Sequence, residues 1–196
     1  VDKELLQEHH KGLICLSGCY SGELIQAILN NKNPEKIIND YKEIFGVDNY
    51  FLEIGHHPHF DPKNHQKVWP ALIELGKKTN TPLVATQDIH YLNKEDSQYH
   101  DILLAVQTGN KIGDRDRLSL RNDDFSMASP EEMSEKFKEI PEAVANTRKI
   151  ADRCHIQLTL GKPILPHFPL PEGETAISYL RKLANQRTPL RIKEVN

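Results

Sequence analysis

The chain has 196 residues, of which 38% are hydrophobic and 27% are charged, and its formal net charge at pH 7 is −3. This composition is typical of a globular protein with one domain or slightly more, and it excludes collagen-like and coiled-coil rod proteins. The weakly acidic balance argues against a dedicated nucleic-acid-binding module, and no apolar run reaches the ~18 residues that a membrane-spanning helix needs.

The first 110 residues alternate between predicted strands and predicted helices. Three short apolar runs bounded by turn residues are predicted as strands: residues 12–17, 50–54 and 83–86. Four helices are predicted from apolar periodicity: residues 23–29, 34–45, 63–79 and 94–106. We expect Ser21 to cap the first of these helices and Pro70 to kink or break the third. Strands that alternate with helices predict a parallel sheet, either part of a β/α barrel or a doubly wound sheet.

The alternation ends with the fourth helix. Residues 108–128 carry polar and charged turn residues without clear periodicity, and we predict a loop or short extended pieces there. Arg115 and Arg117 lie in this segment. They could meet a phosphate backbone, but two arginines in a charged loop are more typical of a solvated surface.

A second group of helices is predicted in the last third of the chain. Residues 129–132 have the Ser-Pro-x-Glu pattern of a capping box, which predicts a helix start. Residues 141–154 are predicted as a further helix that begins with proline. Four prolines within residues 161–171 predict an extended segment and a domain junction, which a last helix follows at about residues 175–185.

The three cysteines predict free thiols. Their number is odd and their spacing does not match a disulfide framework, which favours a reducing compartment, and we expect a cytoplasmic protein with no membrane partner. Cys15, on a predicted strand, and Cys154, at the end of a predicted helix, are expected in the core. Cys19 follows the first strand in a turn, where it could bind a metal.

Residues that are able to bind a metal follow each of the three predicted strands. Cys19 follows the first strand, Glu53 and either His56 or His57 lie at the end of the second, and Asp88 and His90 follow the third. The carboxyl ends of parallel strands meet at one edge of a sheet, so we expect these side chains to lie close together. Asp88 and His90 are the strongest candidates, because side chains two residues apart on an extended chain point to the same side. This set of donors indicates Zn or Mn, which could activate water against a phosphoryl group.

Each of these residues also has a structural interpretation. Asp88 could cap a turn without binding a metal, Cys19 could be inert, and Glu53 could be an inward side chain with a polar partner. The histidine-rich residues 56–59 could form a metal loop, but they are more typical of a polar surface loop. His100, on an amphipathic helix, is expected to pack or cap rather than to bind a metal.

Several stretches of the sequence, taken in order, resemble one known family. They are similar to the second half of a PHP (polymerase and histidinol phosphatase) domain, in the branch formed by the alpha subunits of bacterial DNA polymerase III. The stretches are residues 12–19, 50–54, 83–92, 100–109, 129–133, 141–147, 150–154 and 165–173. The later ones are the most specific, because a stand-alone PHP phosphatase is not expected to carry them. The resemblance covers about residues 11–184.

The resemblance implies an α/β fold, namely part of a distorted (β/α)7 PHP barrel followed by a mainly helical segment and a Pro-rich junction. It divides the chain into the C-terminal half of the PHP domain at residues 1–110 and a helical connection at residues 111–160. Residues 161–196 then form the junction and the start of the polymerase palm region. Residues 187–196 do not resemble the family.

The resemblance also implies a metal site. Metal-retaining PHP domains use a Cys, an Asp and a His that fall on Cys19, Asp88 and His90, with Glu53 and His57 as possible accessory residues. The family's remaining metal ligands would lie before the first residue of this sequence, and the polymerase carboxylates would lie beyond its last. We therefore expect a fragment without a complete catalytic centre.

The function implied for the parent protein is template-directed DNA synthesis with Mg bound outside this fragment. Its PHP part would be a 3′–5′ exonuclease that depends on Zn or Mn. The implied partners are template-primer DNA, deoxynucleoside triphosphates, the sliding clamp and other replisome subunits. Two alternatives stay open: a metal-free structural PHP module that supports the polymerase and docks a proofreading partner, and a stand-alone PHP phosphoesterase.

Overall fold

The computed structural model describes residues 2–192, which fall into two compact units. The first unit extends to His155 and the second begins at Ile156. None of the helices that the structure describes is long and apolar enough to cross a membrane.

The first unit is built on a small parallel sheet. Its strands are β1 (Cys15–Leu16), β2 (Tyr50–Gly55) and β3 (Leu83–Thr86). They pair in the order β1-β2-β3, with Cys15 opposite Tyr50 and Leu52 opposite Leu83. The prediction of parallel strands is confirmed, although β1 is shorter than predicted. Three strands do not close a barrel, so the (β/α)7 architecture is not confirmed within residues 2–192.

Helices connect and follow these strands. In chain order they are α1 (Lys3–His9), α2 (Glu23–Leu29), α3 (Pro34–Phe45), α4 (Pro62–Thr79), α5 (Ser97–Thr108), α6 (Pro130–Lys136) and α7 (Pro141–Ala151). A 3-10 turn (Lys94–Asp96) precedes α5, and the two together occupy the segment predicted as one helix. The helices α2 to α7 therefore agree closely with the predicted ones.

Local capping explains most of the helix boundaries. The predicted capping box is confirmed at α6, where the Ser129 hydroxyl accepts a hydrogen bond from the Glu132 amide and the Glu132 carboxylate accepts one from the Ser129 amide. The predicted cap of α2 is wrong, because Gly22 occupies the N-cap position and Ser21 lies outside it. Of the kink or break predicted in α4, the break is wrong, since the helix continues through Pro70. Burial of three α4 side chains offsets the missing proline N–H bond: Val68, Leu72 and Leu75.

The core lies where α2, α3 and α4 pack against the sheet. Its most buried members include Leu24, Ile38 and Leu52, and Phe137 at the end of α6 joins the same cluster. Helix α7 packs along β3, where the Asn146 side chain donates a 2.7 Å hydrogen bond to the Leu83 carbonyl. The packed helices therefore hold the sheet, and with it the carboxyl ends of the strands, in place.

The second unit contains one described helix, α8 (Ala176–Arg191), which Thr175 caps. This helix is longer than predicted and continues through Pro189. Residues 161–171 have no regular secondary structure, in agreement with the predicted extended segment. Of the segment 187–196 that does not resemble the family, residues 193–196 lie outside the described residues.

A buried ion pair ties the loop at residues 108–128 to α5. Asp101 is 2% exposed, and Arg117 donates to its two carboxylate oxygens at 2.7 and 2.6 Å while the Ser119 hydroxyl donates at 2.7 Å. These bonds lower the pKa of Asp101 to about 2, with Arg117 as the main cause. Arg115 is exposed as predicted, but the prediction of a solvated Arg117 is wrong. Its partner lies 16 residues earlier on a helix, and no local pattern reveals it.

Arg117→Ala should lower the free energy of unfolding by about 3 kcal/mol, because it leaves the Asp101 carboxylate buried without a counter-charge. Arg148→Ala is the matched control, since Arg148 pairs with Asp152 on the surface and its loss should cost less than about 1 kcal/mol. Urea unfolding at pH 7 measures both values. Because the pKa of Asp101 is lowered in the folded state, the contribution of the pair should be complete above pH 4 and fall as the pH approaches 2. Equal losses in the two variants would contradict this account.

Candidate functional site

A cavity of about 370 Å³ lies at the carboxyl ends of the three strands. Five of its lining residues are the candidates that the sequence singled out: Cys19, Glu53, His57, Asp88 and His90. The parallel sheet brings them together, because the loops that follow β1, β2 and β3 all leave from the same edge. His100 of α5 also lines the cavity, with its ring centroid 5.1 Å from that of His90.

Asp88 and His90 form a close pair through a turn in the backbone. Strand β3 ends at Thr86, and Asp88 has a positive φ of 51°, in the left-handed region. Aspartate tolerates this conformation better than most residues do. The turn places Asp88 Oδ1 3.4 Å from His90 Nε2. The pair therefore meets as predicted, but through a left-handed turn rather than an extended chain.

A neighbouring segment of the chain holds this turn in place. The His90 amide donates to the Phe125 carbonyl at 2.9 Å, and the Gln87 side chain donates to the Asp124 carbonyl at 3.0 Å. Tyr91 and Ser126 form an isolated parallel bridge. Residues 124–126 therefore run beside residues 87–91 and fix their backbone.

Glu53 has a polar partner on the adjacent strand. Its Oε1 accepts a hydrogen bond from the Thr86 hydroxyl at 2.9 Å, and its amide donates to the Ser17 hydroxyl at 2.9 Å. Glu53 thus links the ends of all three strands. These contacts agree with the interpretation of Glu53 as an inward side chain with a polar partner.

His57 is buried, so the prediction of a polar surface loop is wrong at this position. It is 4% exposed, and its ring stacks on Phe125 at 4.1 Å with an interplanar angle of 8°. Neither ring nitrogen has a hydrogen-bond partner among the described residues. Burial lowers the pKa of His57, so its imidazole is held neutral. No signal in the local sequence indicates this burial, because Phe125 lies far away in the chain.

The cysteines differ in their surroundings. Cys19 is exposed in the loop after β1, with its Sγ 3.6 Å from the Ser21 hydroxyl. Cys15 packs against the core, and burial raises the pKa of its thiol to about 11. The prediction that Cys154 lies in the core is wrong, because the residue is exposed in the turn that follows α7. Its helix ends at Ala151, before the cysteine.

The donor types around the cavity fit a Zn or Mn site in part. Carboxylate and imidazole oxygen and nitrogen atoms suit either metal, and a thiolate favours Zn. Within residues 2–192, however, no group of three or more His, Cys, Asp or Glu side chains is arranged to hold a metal ion. Asp88 and His90 are the pair in direct proximity, and they could supply two ligands of a larger set.

The chain is similar to known proteins of one class. Residues 1–57 match the family described as PHP domain. The chain is 40% identical over 189 residues to the DNA polymerase III subunit alpha of Treponema pallidum, covering 95% of this chain and 16% of that protein. It is 39% identical over 206 residues to the same subunit of Thermus aquaticus, covering 99% of this chain and 17% of that protein. These matches confirm the resemblance to DNA polymerase III alpha subunits, of which the chain spans only a small part.

One buried and two partly buried histidines predict a pH-dependent stability. Burial lowers the pKa values of His56, His57 and His65 below 6.5, so the unfolded chain binds more protons than the folded chain as the pH falls. The free energy of unfolding should therefore decrease from pH 7.5 to pH 5.5 in urea titrations. His57→Phe, which keeps a ring on Phe125, should reduce this decrease. The exposed His59 provides the control, and a His59→Gln chain with the same reduction would contradict the assignment.

Proposed function

We propose that this chain forms the later part of a PHP domain within a DNA polymerase III alpha subunit, and that Asp88 and His90 belong to a metal-dependent 3′–5′ exonuclease centre in that domain. The parent protein would extend a primer on template DNA from deoxynucleoside triphosphates, with Mg bound elsewhere, beside the sliding clamp and other replisome subunits. The observation that carries the proposed centre is the close Asp88–His90 pair at the carboxyl edge of the sheet.

The residues of the cavity suit this chemistry in distinct ways. Asp88 and His90 would bind the metal, and Cys19 would add a thiolate from the loop after β1. A bound Zn or Mn lowers the pKa of its water and stabilises charge on a phosphoryl oxygen. Glu53 would keep the strand ends aligned through its bond to Thr86 rather than react itself. Further ligands would come from residues outside these 196, in a protein as long as the relatives that the chain matches.

Two observations favour a second function, a structural PHP module without metal that supports the polymerase and docks a proofreading partner. Within the described residues the candidate ligands do not form a set of three, and Glu53 is engaged with Thr86. The stand-alone phosphoesterase has less support, because the similarity to polymerase subunits continues far beyond the residues that match the PHP family.

Asp88→Asn and His90→Gln should separate the first two functions when they are introduced into the longest natural polypeptide that contains these residues. We expect each to lower bound Mn or Zn, measured by mass spectrometry of the purified protein, at least about tenfold. Removal of nucleotides from a 3′-labelled single strand should fall in parallel, while primer extension continues. Asparagine retains the left-handed backbone at position 88, so misfolding is avoided.

The control for these variants is His59→Gln, which replaces an exposed histidine that is not among the residues lining the cavity. Its metal content and nuclease rate should match those of the parent. Unchanged metal content and nuclease rate in Asp88→Asn and His90→Gln would overturn the exonuclease proposal in favour of the structural module.

A further inference from the structure

We infer that Phe125 is a positioning residue for the Asp88–His90 pair, an inference that rests on the proposed function. Phe125 is 2% exposed and lies in the segment that the sequence predicts as a loop or short extended pieces. It is not part of the main core cluster formed by the described residues of α2, α3, α4 and the sheet. Its burial is instead achieved among the residues of the cavity, which it lines.

The ring of Phe125 contacts rings from two sides of the cavity. The ring of His57, which follows β2, stacks on the Phe125 ring with the two centroids 4.1 Å apart. The ring of His90, which follows β3, meets the Phe125 ring nearly edge to face, with a centroid distance of 5.7 Å and an interplanar angle of 79°. The Phe60 ring packs edge to face against a third side of the Phe125 ring, with a centroid distance of 5.6 Å and an interplanar angle of 87°. The Phe125 ring therefore lies between the ends of two strands and limits the orientations that the His90 ring can adopt.

The backbone of the same residue acts on the same turn. The Phe125 carbonyl accepts the hydrogen bond from the His90 amide at 2.9 Å, and its amide donates to the Tyr91 hydroxyl at 3.1 Å. One residue thus fixes both the main chain and the side chain of His90. Residues 87–91 alone would not hold the His90 ring in one orientation, because the His90 side chain is partly exposed and Asp88 is in a sparsely populated backbone region.

This arrangement has a functional consequence. A metal ligand binds tightly only when its ring is already held in the orientation that the metal requires, and residues behind the ligands typically change metal affinity by 10 to 100-fold. Phe125 touches no metal donor atom in this account. It acts through His90, and the stack with the neutral His57 keeps the Phe125 ring in place.

The test uses the longest natural polypeptide that contains these residues and titration with Mn²⁺, with free Mn²⁺ measured by electron paramagnetic resonance. Phe125→Leu should weaken binding about tenfold, and Phe125→Tyr, which keeps the ring, should restore most of it. Phe51→Leu removes the same atoms from a buried position on β2 that is not among the cavity-lining residues, and it should leave affinity unchanged. Equal affinities in Phe125→Leu and Phe51→Leu would overturn the positioning role.

A second readout needs no metal. The imidazole ¹³Cε1–¹H signal of His90, assigned by comparison with His90→Gln, should be single and shifted by the Phe125 ring in the parent chain. In Phe125→Leu it should move towards the position of a freely rotating histidine, and in Phe51→Leu it should stay. An unmoved signal in Phe125→Leu would overturn the inference. If the parent chain binds no Mn²⁺, the metal proposal fails, and the signal of His90 still decides whether Phe125 positions it.

Discussion

The left-handed backbone at Asp88 is the constraint on which the candidate site depends. Without it, the chain would leave β3 in an extended direction and the Asp88 carboxylate would not meet the His90 ring at 3.4 Å. A non-glycine residue in this region carries a conformational cost, typically about 1 kcal/mol or more, so the surroundings must hold it. Here they do so through the bonds from residues 87 and 90 to the backbone of residues 124 and 125.

The loop at residues 108–128 is therefore a structural part of the site. One end is fixed to α5 by the buried pair of Asp101 and Arg117. The other end is fixed to the loop after β2, because the Asp123 carboxylate accepts hydrogen bonds from the amides of His59 and Phe60. Phe125 follows the second anchor by two residues and lines the cavity. A segment without helix or strand thus joins the ends of β2 and β3.

Local chemistry explains which features the sequence could predict. Strands β2 and β3, helix α3 and the capping box at Ser129 follow from short apolar runs, proline positions and caps, all of which act within a few residues. The convergence of the candidate residues follows from the parallel order of the strands. The burial of His57 and Arg117 could not be predicted, because each depends on a partner in another segment: Phe125 for His57 and Asp101 for Arg117.

The proposed exonuclease centre requires that Asp88 and His90 bind a metal ion at the carboxyl edge of the sheet. This can be examined in crystals of the longest natural polypeptide that contains these residues, grown with Mn²⁺ and recorded at the manganese absorption edge. We expect an anomalous peak at bonding distance, about 2 Å, from an Asp88 oxygen and a His90 ring nitrogen. A fully ordered cavity without a peak, or a peak bound only by other residues, would contradict it.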